Sequence, residues 1–112
     1  MKPGEIYTAD LEDVGPHRVI VLSREALNRG DYVVAVICTS AKFGVRSRQP
    51  NCVVFRAGEF SFTRDCVAQG EAVQQIEKRF LDPDLIDILD DATLRDVIRA
   101  VGYVMDADCE PL

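Results

Sequence analysis

Glu5-Ile6-Tyr7-Thr8-Ala9-Asp10 alternates polar and apolar positions as a half-buried strand does, opened by Pro3-Gly4 and closed by the acidic, glycine-containing turn LEDVGP. The next run, RVIVLS from Arg18 to Ser23, is continuous and β-branched, the pattern of a strand buried on both faces. Ser23 is placed to cap a short helix over REALN, with Gly30 as its stop. DYVVAVICTS predicts the strongest strand, ending in two hydroxyls. From Ala41 to Pro50, AKFGVRSRQP lacks a period and carries glycine, serine and proline, so it reads as a loop. NCVVFR is a further strand and AGEFSFTRD a turn-rich connection. CVAQGEAVQQIE is a long extended segment interrupted at Gly70, where a bulge or barrel corner is expected. After the acidic stretch LDPDLIDILDD, residues Ala92 to Met105 set Leu94, Val97, Ile98, Val101 and Met105 on one helical face. Asp90 is the expected cap, Asp91 sits near the positive helix end, and the tail DADCEPL is expected to fray.

Four or five short strands, one short helix between the second and third, and a closing amphipathic helix predict a mainly β fold, a partly open SH3-like barrel, because a sheet bent on itself buries one face and leaves few edges. At 112 residues the chain is one domain's worth, 1–112, with no internal repeat. No segment approaches the roughly 20 apolar residues of a membrane span, and MKPGEIY lacks the basic and apolar regions of a signal peptide, so a cytoplasmic location is expected.

The four cysteines, Cys38, Cys52, Cys66 and Cys109, contain no CxxC pair and have one histidine to help them, which is no zinc-site spacing. The first three lie in apolar or alternating stretches and read as reduced, buried packing, with Cys109 exposed in the tail. Neither a metal nor a cofactor is expected.

The net charge of −6 argues against nucleic acid until its distribution is considered. Residues 1–64 hold 9 Lys/Arg against 7 Asp/Glu, a net of +2, and residues 65–112 hold 4 against 12, a net of −8. Between Asp31 and Glu59 there is no acidic residue, while Lys42, Arg46, Arg48 and Arg56 fall there, so the loop after the third strand is either a basic ligand loop or an ordinary solvated one. The only histidine, His17, stands with Arg18 at the start of the RVIV run. The pair either marks a strand emerging into solvent or sets a base and a cation at the mouth of a site.

The order GEIYTADL, RVIVLSREALNRG, VVAVICTSA, FRAGEFSFTRDCVAQGEAVQQIEKRFL and a terminal helix resembles the MazF/PemK family of toxins from toxin-antitoxin systems, from about Lys2 to Met105. Members look like RGD(I/V)-(Y/W)-x-x-DL, then RPVxVLS with its helix, a third strand ending in TS or TT, and a D-(S/G)-V segment followed by an acidic-lysine pair. Here the last two are Asp65-Cys66-Val67 and Glu77-Lys78. The resemblance implies an SH3-like barrel, a homodimer, and a toxin that cuts single-stranded RNA with a sequence preference and without metal, neutralised by a cognate antitoxin. It also implies a catalytic arginine at the start of the second strand and a threonine at the end of the third. The threonine carries over to Thr39, with Ser40 beside it. Where members have Arg-Pro, this chain has His17-Arg18, after a shorter loop, and Ala72 follows Glu71 where members commonly have glutamine.

Metal-free RNA cleavage needs a base for the 2′-hydroxyl proton, donors for the growing phosphate charge and an acid for the leaving oxygen. Arg18 offers a permanently charged planar fork and His17 a proton carrier near neutrality. Neighbours on a regular strand face opposite ways, so Arg18 ranks first and His17 second. Thr39 is either phosphate-facing or a strand-end hydroxyl bonded to backbone. Ser40, Lys42, Arg46 and Arg48 are candidate RNA contacts, Phe43 is the candidate stacking ring, and Phe55, Phe60, Phe62 and Phe80 are expected in the core. A second reading keeps the fold and loses cleavage, leaving a module that binds RNA or a protein, the latter through the terminal helix as in the related CcdB group.

Overall fold

The computed structural model describes residues 1–106. The expectations for Cys109 and for the tail from residue 107 lie outside the described residues. Six strands form one antiparallel sheet: β1 (Glu5–Asp10), β2 (Pro16–Val21), β3 (Tyr32–Thr39), β4 (Cys52–Phe55), β5 (Cys66–Glu77) and β6 (Asp87–Ile88), in the order β4-β5-β3-β2-β1-β6. A one-turn helix α1 (Phe43–Arg46) lies between β3 and β4, and α2 (Asp91–Val104) closes the chain.

The β-branched run behaves as its pattern demands. Val19, Ile20 and Val21 are fully buried, and alternation deals them to two sides of the sheet. Ile20 joins Ile6, Val36, Phe55 and Val97 in one cluster, and Val19 and Val21 join Tyr7, Val33 and Ile76 in the other. Two buried faces need a curled sheet, and β5 supplies the curl. Its first residues pair with β3 at Cys38↔Ala68, the next pair is Val36↔Val73, and the extra residues around Gly70 bulge out. Gly70 is required there because a Cβ would stand 2.6 Å from the Ala100 carbonyl oxygen and 2.7 Å from that of Asn51. The expected barrel with its corner at Gly70 is therefore the observed architecture.

The helix α2 packs on β5 and β4. Asp90 caps it, its side chain accepting from the Thr93 amide at 2.7 Å. The buried face differs from the predicted one: Val97 and Ala100 point in, while Ile98 and Met105 are 48% and 66% exposed. The segment REALN forms only a 3-10 turn at Leu27–Arg29, and Ser23 does not cap it. The Ser23 hydroxyl instead accepts from the Val34 amide at 2.9 Å and contacts the buried Asn28 side chain, whose Nδ2 donates to Ser23 and Met1 carbonyls. Tying both ends of the connection to the sheet outcompetes a free helix this short. Among the described residues no helix is long and apolar enough to cross a membrane.

Candidate functional site

A cleft of about 380 Å³ opens where β2 begins and β3 ends. Pro16, His17 and Arg18 line it from β2, Cys38, Thr39 and Ser40 from the end of β3, and Cys66 from the start of β5. The remaining wall is Phe62, Thr63 and Arg64, from the turn between β4 and β5. The structure thus brings together His17, Arg18, Thr39 and Ser40 from separate stretches of sequence. Lys42, Phe43, Arg46 and Arg48 are not part of this lining and lie on and around α1, next along the chain.

Arg18 is held by that turn. Its Nη1 donates to the Ser61 carbonyl, and its guanidinium lies over the Phe62 ring, 5.4 Å from the centroid. Phe60 and Ser61 adopt left-handed backbone, φ 45° and 62°, which turns the chain sharply before Phe62. The two conformations are maintained by packing: Phe62 is buried against Phe55, centroids 4.7 Å apart, and Phe55 also meets Phe60 edge-on at 6.1 Å. The Ser61 hydroxyl donates to Asp87 at 2.9 Å. Of the predicted core phenylalanines, Phe55 and Phe62 are buried, and Phe60 and Phe80 pack half-buried against the two clusters. Phe62 has the additional role of flooring the cleft.

His17 and Arg18 occupy opposite faces of β2 by alternation, and the cleft reaches both because it lies over the strand's first residues. The His17 Nδ1 is 3.3 Å from the Gly15 carbonyl oxygen. A carbonyl only accepts, so Nδ1 is the donor in this hydrogen bond and Nε2 is the ring nitrogen not engaged by it. Thr39, half-buried, accepts from the Ala41 amide at 3.2 Å through Oγ1, so its own hydroxyl proton remains free to donate. The bond to backbone is the one expected of a strand-end hydroxyl, and the hydrogen is left available toward the cleft.

Two thiols line the cleft, and both stay neutral at physiological pH. Burial pushes Cys38 well above its ordinary value, the neighbouring Cys66 adding and the Arg18 charge opposing. Burial pushes Cys66 up to about 11, against the pull of Arg18 and with the push of Asp65. Neutral thiols leave the charge of Arg18 uncompensated. The Asp65 carboxylate is engaged elsewhere: it accepts from the Ala57 amide at 2.9 Å and from Arg56 Nη1 at 3.1 Å, which together hold it below the usual carboxylate range. Arg56 also covers the Phe43 ring at 5.1 Å, so one face of the candidate stacking ring is occupied. Among the described residues no group of three or more His, Cys, Asp or Glu side chains is placed to hold a metal ion.

Sequence reading missed Thr63 and Arg64. A polar segment between two strands reads as solvated connection, and only the curl of the sheet, which brings the β4-β5 turn into contact with Arg18 on β2, puts them in the cleft.

The pattern that defines PemK-like, MazF-like toxins of type II toxin-antitoxin systems matches residues 2–105. No curated protein sequence matches the chain. Among solved structures, an endoribonuclease from a mycobacterial species in complex with its cognate antitoxin superposes with a TM-score of 0.79 at 21% identity, covering 99% of each chain. The toxin MazF-mt6 of Mycobacterium tuberculosis gives 0.77 at 21% identity, over 96% of this chain and 100% of that one. A chain of the MazE-MazF complex of Deinococcus radiodurans gives 0.72 at 17% identity over 94% of each. At these identities the likeness is one of fold.

Proposed function

The chain belongs to the PemK-like, MazF-like toxins of type II toxin-antitoxin systems, and from that premise we propose that it is a metal-independent endoribonuclease that cuts single-stranded RNA with a sequence preference. The observation that carries the reading is the cleft in which Arg18, Thr39 and His17 converge around an opening with no carboxylate in its lining. A phosphodiester bond seated there receives the guanidinium fork of Arg18 and the free hydroxyl proton of Thr39 on a non-bridging oxygen, where charge grows as the 2′-hydroxyl attacks phosphorus. His17 Nε2 takes the 2′-hydroxyl proton and returns a proton to the departing 5′-oxygen. One P–O bond forms to the 2′-oxygen and one breaks to the 5′-oxygen, so the products are a 2′,3′-cyclic phosphate and a 5′-hydroxyl. The Phe62 ring and Ser61 carbonyl pre-position Arg18, so little ordering remains at the moment of reaction.

Ser40 at the rim and Lys42, Phe43, Arg46 and Arg48 around α1 extend the surface along which neighbouring nucleotides lie and supply the base preference. A cognate antitoxin neutralises the toxin by laying an acidic or apolar segment across the same cleft. We assign the groove of about 630 Å³ between α2 and β4, lined by Val53, Ile98 and Tyr103, to a homodimer contact. The same groove favours a second reading, a non-cleaving barrel that binds a protein target through α2.

The test is incubation of purified protein with a long mixed-sequence RNA in excess EDTA, mapping new 5′ ends, alongside Arg18→Ala, Thr39→Ala and His17→Ala. Discrete cuts that persist in EDTA and vanish in Arg18→Ala are expected. No cutting by the folded wild type would leave the binding module as the function.

A further inference from the structure

Arg64 is the second guanidinium in the lining of the cleft, and it is exposed there. Among the described residues the ion pairs are Lys2-Glu25, Arg56-Asp65, Arg79-Glu77 and Arg99-Asp96, and none involves Arg64. The carboxylate adjacent in sequence, Asp65, is drawn away by Arg56 and the Ala57 amide, and Asp87, at the other side of the turn, accepts from Ser61 and from the Ile88 amide at 2.7 Å. A chain with a net charge of −6 therefore keeps an uncompensated arginine at the mouth of its cleft. Arg64 is also well anchored for an exposed residue, because Phe62, two positions earlier, is buried against Phe55.

We infer that Arg64, with the Thr63 hydroxyl beside it, is a phosphate-binding arm of the cleft that grips the nucleic-acid backbone next to the bond Arg18 addresses, adding affinity without taking part in bond breaking. This rests on the reading that RNA enters the cleft. The chemistry it fits is a phosphodiester chain: an arginine fork matches two phosphate oxygens, and a hydroxyl supplies a further donor. Such an arm contributes equally to all base sequences.

The deciding experiment measures binding of a fluorescent 2′-O-methyl RNA oligomer, which cannot be cut, by wild type, Arg64→Ala, Arg64→Lys and Arg24→Ala across a KCl series. Arg64→Ala is expected to bind about tenfold more weakly at low salt. Its plot of log affinity against log salt flattens by about 0.7, the value for one lost phosphate contact on a single strand. Arg64→Lys recovers most of the affinity, and Arg24→Ala, which removes the same charge from the exposed connection between β2 and β3, behaves as wild type. With cleavable RNA at saturation, Arg64→Ala keeps its turnover within about twofold. An Arg64→Ala protein with wild-type affinity and slope would overturn the inference. So would an equal loss in Arg24→Ala, a turnover collapse in Arg64→Ala like that of Arg18→Ala, or no binding of the oligomer by wild type. Binding with this Arg64 dependence but without cleavage of natural RNA would overturn the proposed ribonuclease and leave the phosphate arm standing.

Discussion

The Arg18 guanidinium lies 5.4 Å from the centre of the Phe62 ring, so the cation at the start of β2 is supported by a side chain that is itself part of the core. Replacing Phe62 by Leu removes the cation-π contact, about 0.5–1 kcal/mol at a partly exposed site, and loosens the stack on Phe55. A two- to fivefold fall in RNA cleavage is expected, together with a lower melting temperature. Steady-state kinetics beside a thermal melt checks both, and unchanged kinetics would mean Arg18 needs no support from the ring.

Arg18→Lys keeps the charge and removes the fork. A lysine ammonium cannot serve the Ser61 carbonyl and two phosphate oxygens with the same fixed geometry. Cleavage is expected to fall roughly 100- to 1,000-fold while the circular dichroism spectrum stays that of wild type, the range set by loss of one preorganised donor to developing charge. Full activity in Arg18→Lys would show that charge alone suffices.

Alkaline stability follows from groups whose pKa values burial raises, Tyr7 and Cys66 together with Cys38. Tyr7 is pushed up to about 12 by burial, with help from its hydrogen bond to Glu5 at 2.7 Å, and Cys66 to about 11. For each, the folded state favours the neutral form, so the associated stability is whole below the unfolded-state pKa and is lost as pH climbs to the folded one. The melting temperature is therefore expected to hold to about pH 9 and then decline, Cys66 and Cys38 acting first and Tyr7 above about pH 10. In Tyr7→Phe the decline between about pH 10 and 12 becomes shallower. A decline of the same steepness in that variant would assign the loss to other groups.

Thiol labelling at pH 8 reports on the same cleft. Cys38 and Cys66 are buried and protonated, whereas Cys52 is only half-buried. A neutral alkylating agent is expected to modify Cys52 well before the other two, read by peptide mass spectrometry. Early modification of Cys66 would show that the turn carrying Phe62 opens readily.

Two glycines separate crowding from propensity. Gly70→Ala drives a methyl group against two backbone carbonyls and is expected to cost about 1–3 kcal/mol in urea unfolding. Gly44→Ala, in α1 with open space around it, is expected to stabilise by up to about 1 kcal/mol.

The first five strands were legible because their signal is local: alternation in β1, unbroken β-branching in β2 and β3, and a glycine interrupting β5, whereas the two-residue β6 lies in an acidic run with no strand pattern of its own. The cap at Asp90 was legible for the same reason, since capping involves residues three apart. That Thr39 and the His17-Arg18 pair line one cleft agrees with their choice as candidates, Thr39 through the family resemblance and the pair through its place at the start of a strand. The orientation of α2 was not. Hydrophobic periodicity favoured Ile98 inward, but the helix backbone comes so close to Gly70 that the small side chain of Ala100 occupies the contact and Ile98 turns to the surface. The wall of Phe62, Thr63 and Arg64 was hidden for a related reason, because it joins the cleft across more than 40 residues of chain through the pairing of β5 with β3, and Arg64 gains meaning only when Arg56 has removed Asp65 from its side. Local pattern determined most of the strands and which residues are candidates for chemistry. Only long-range packing decided which of those residues meet, since close approach depends on side-chain size and backbone crowding that no single stretch of sequence contains.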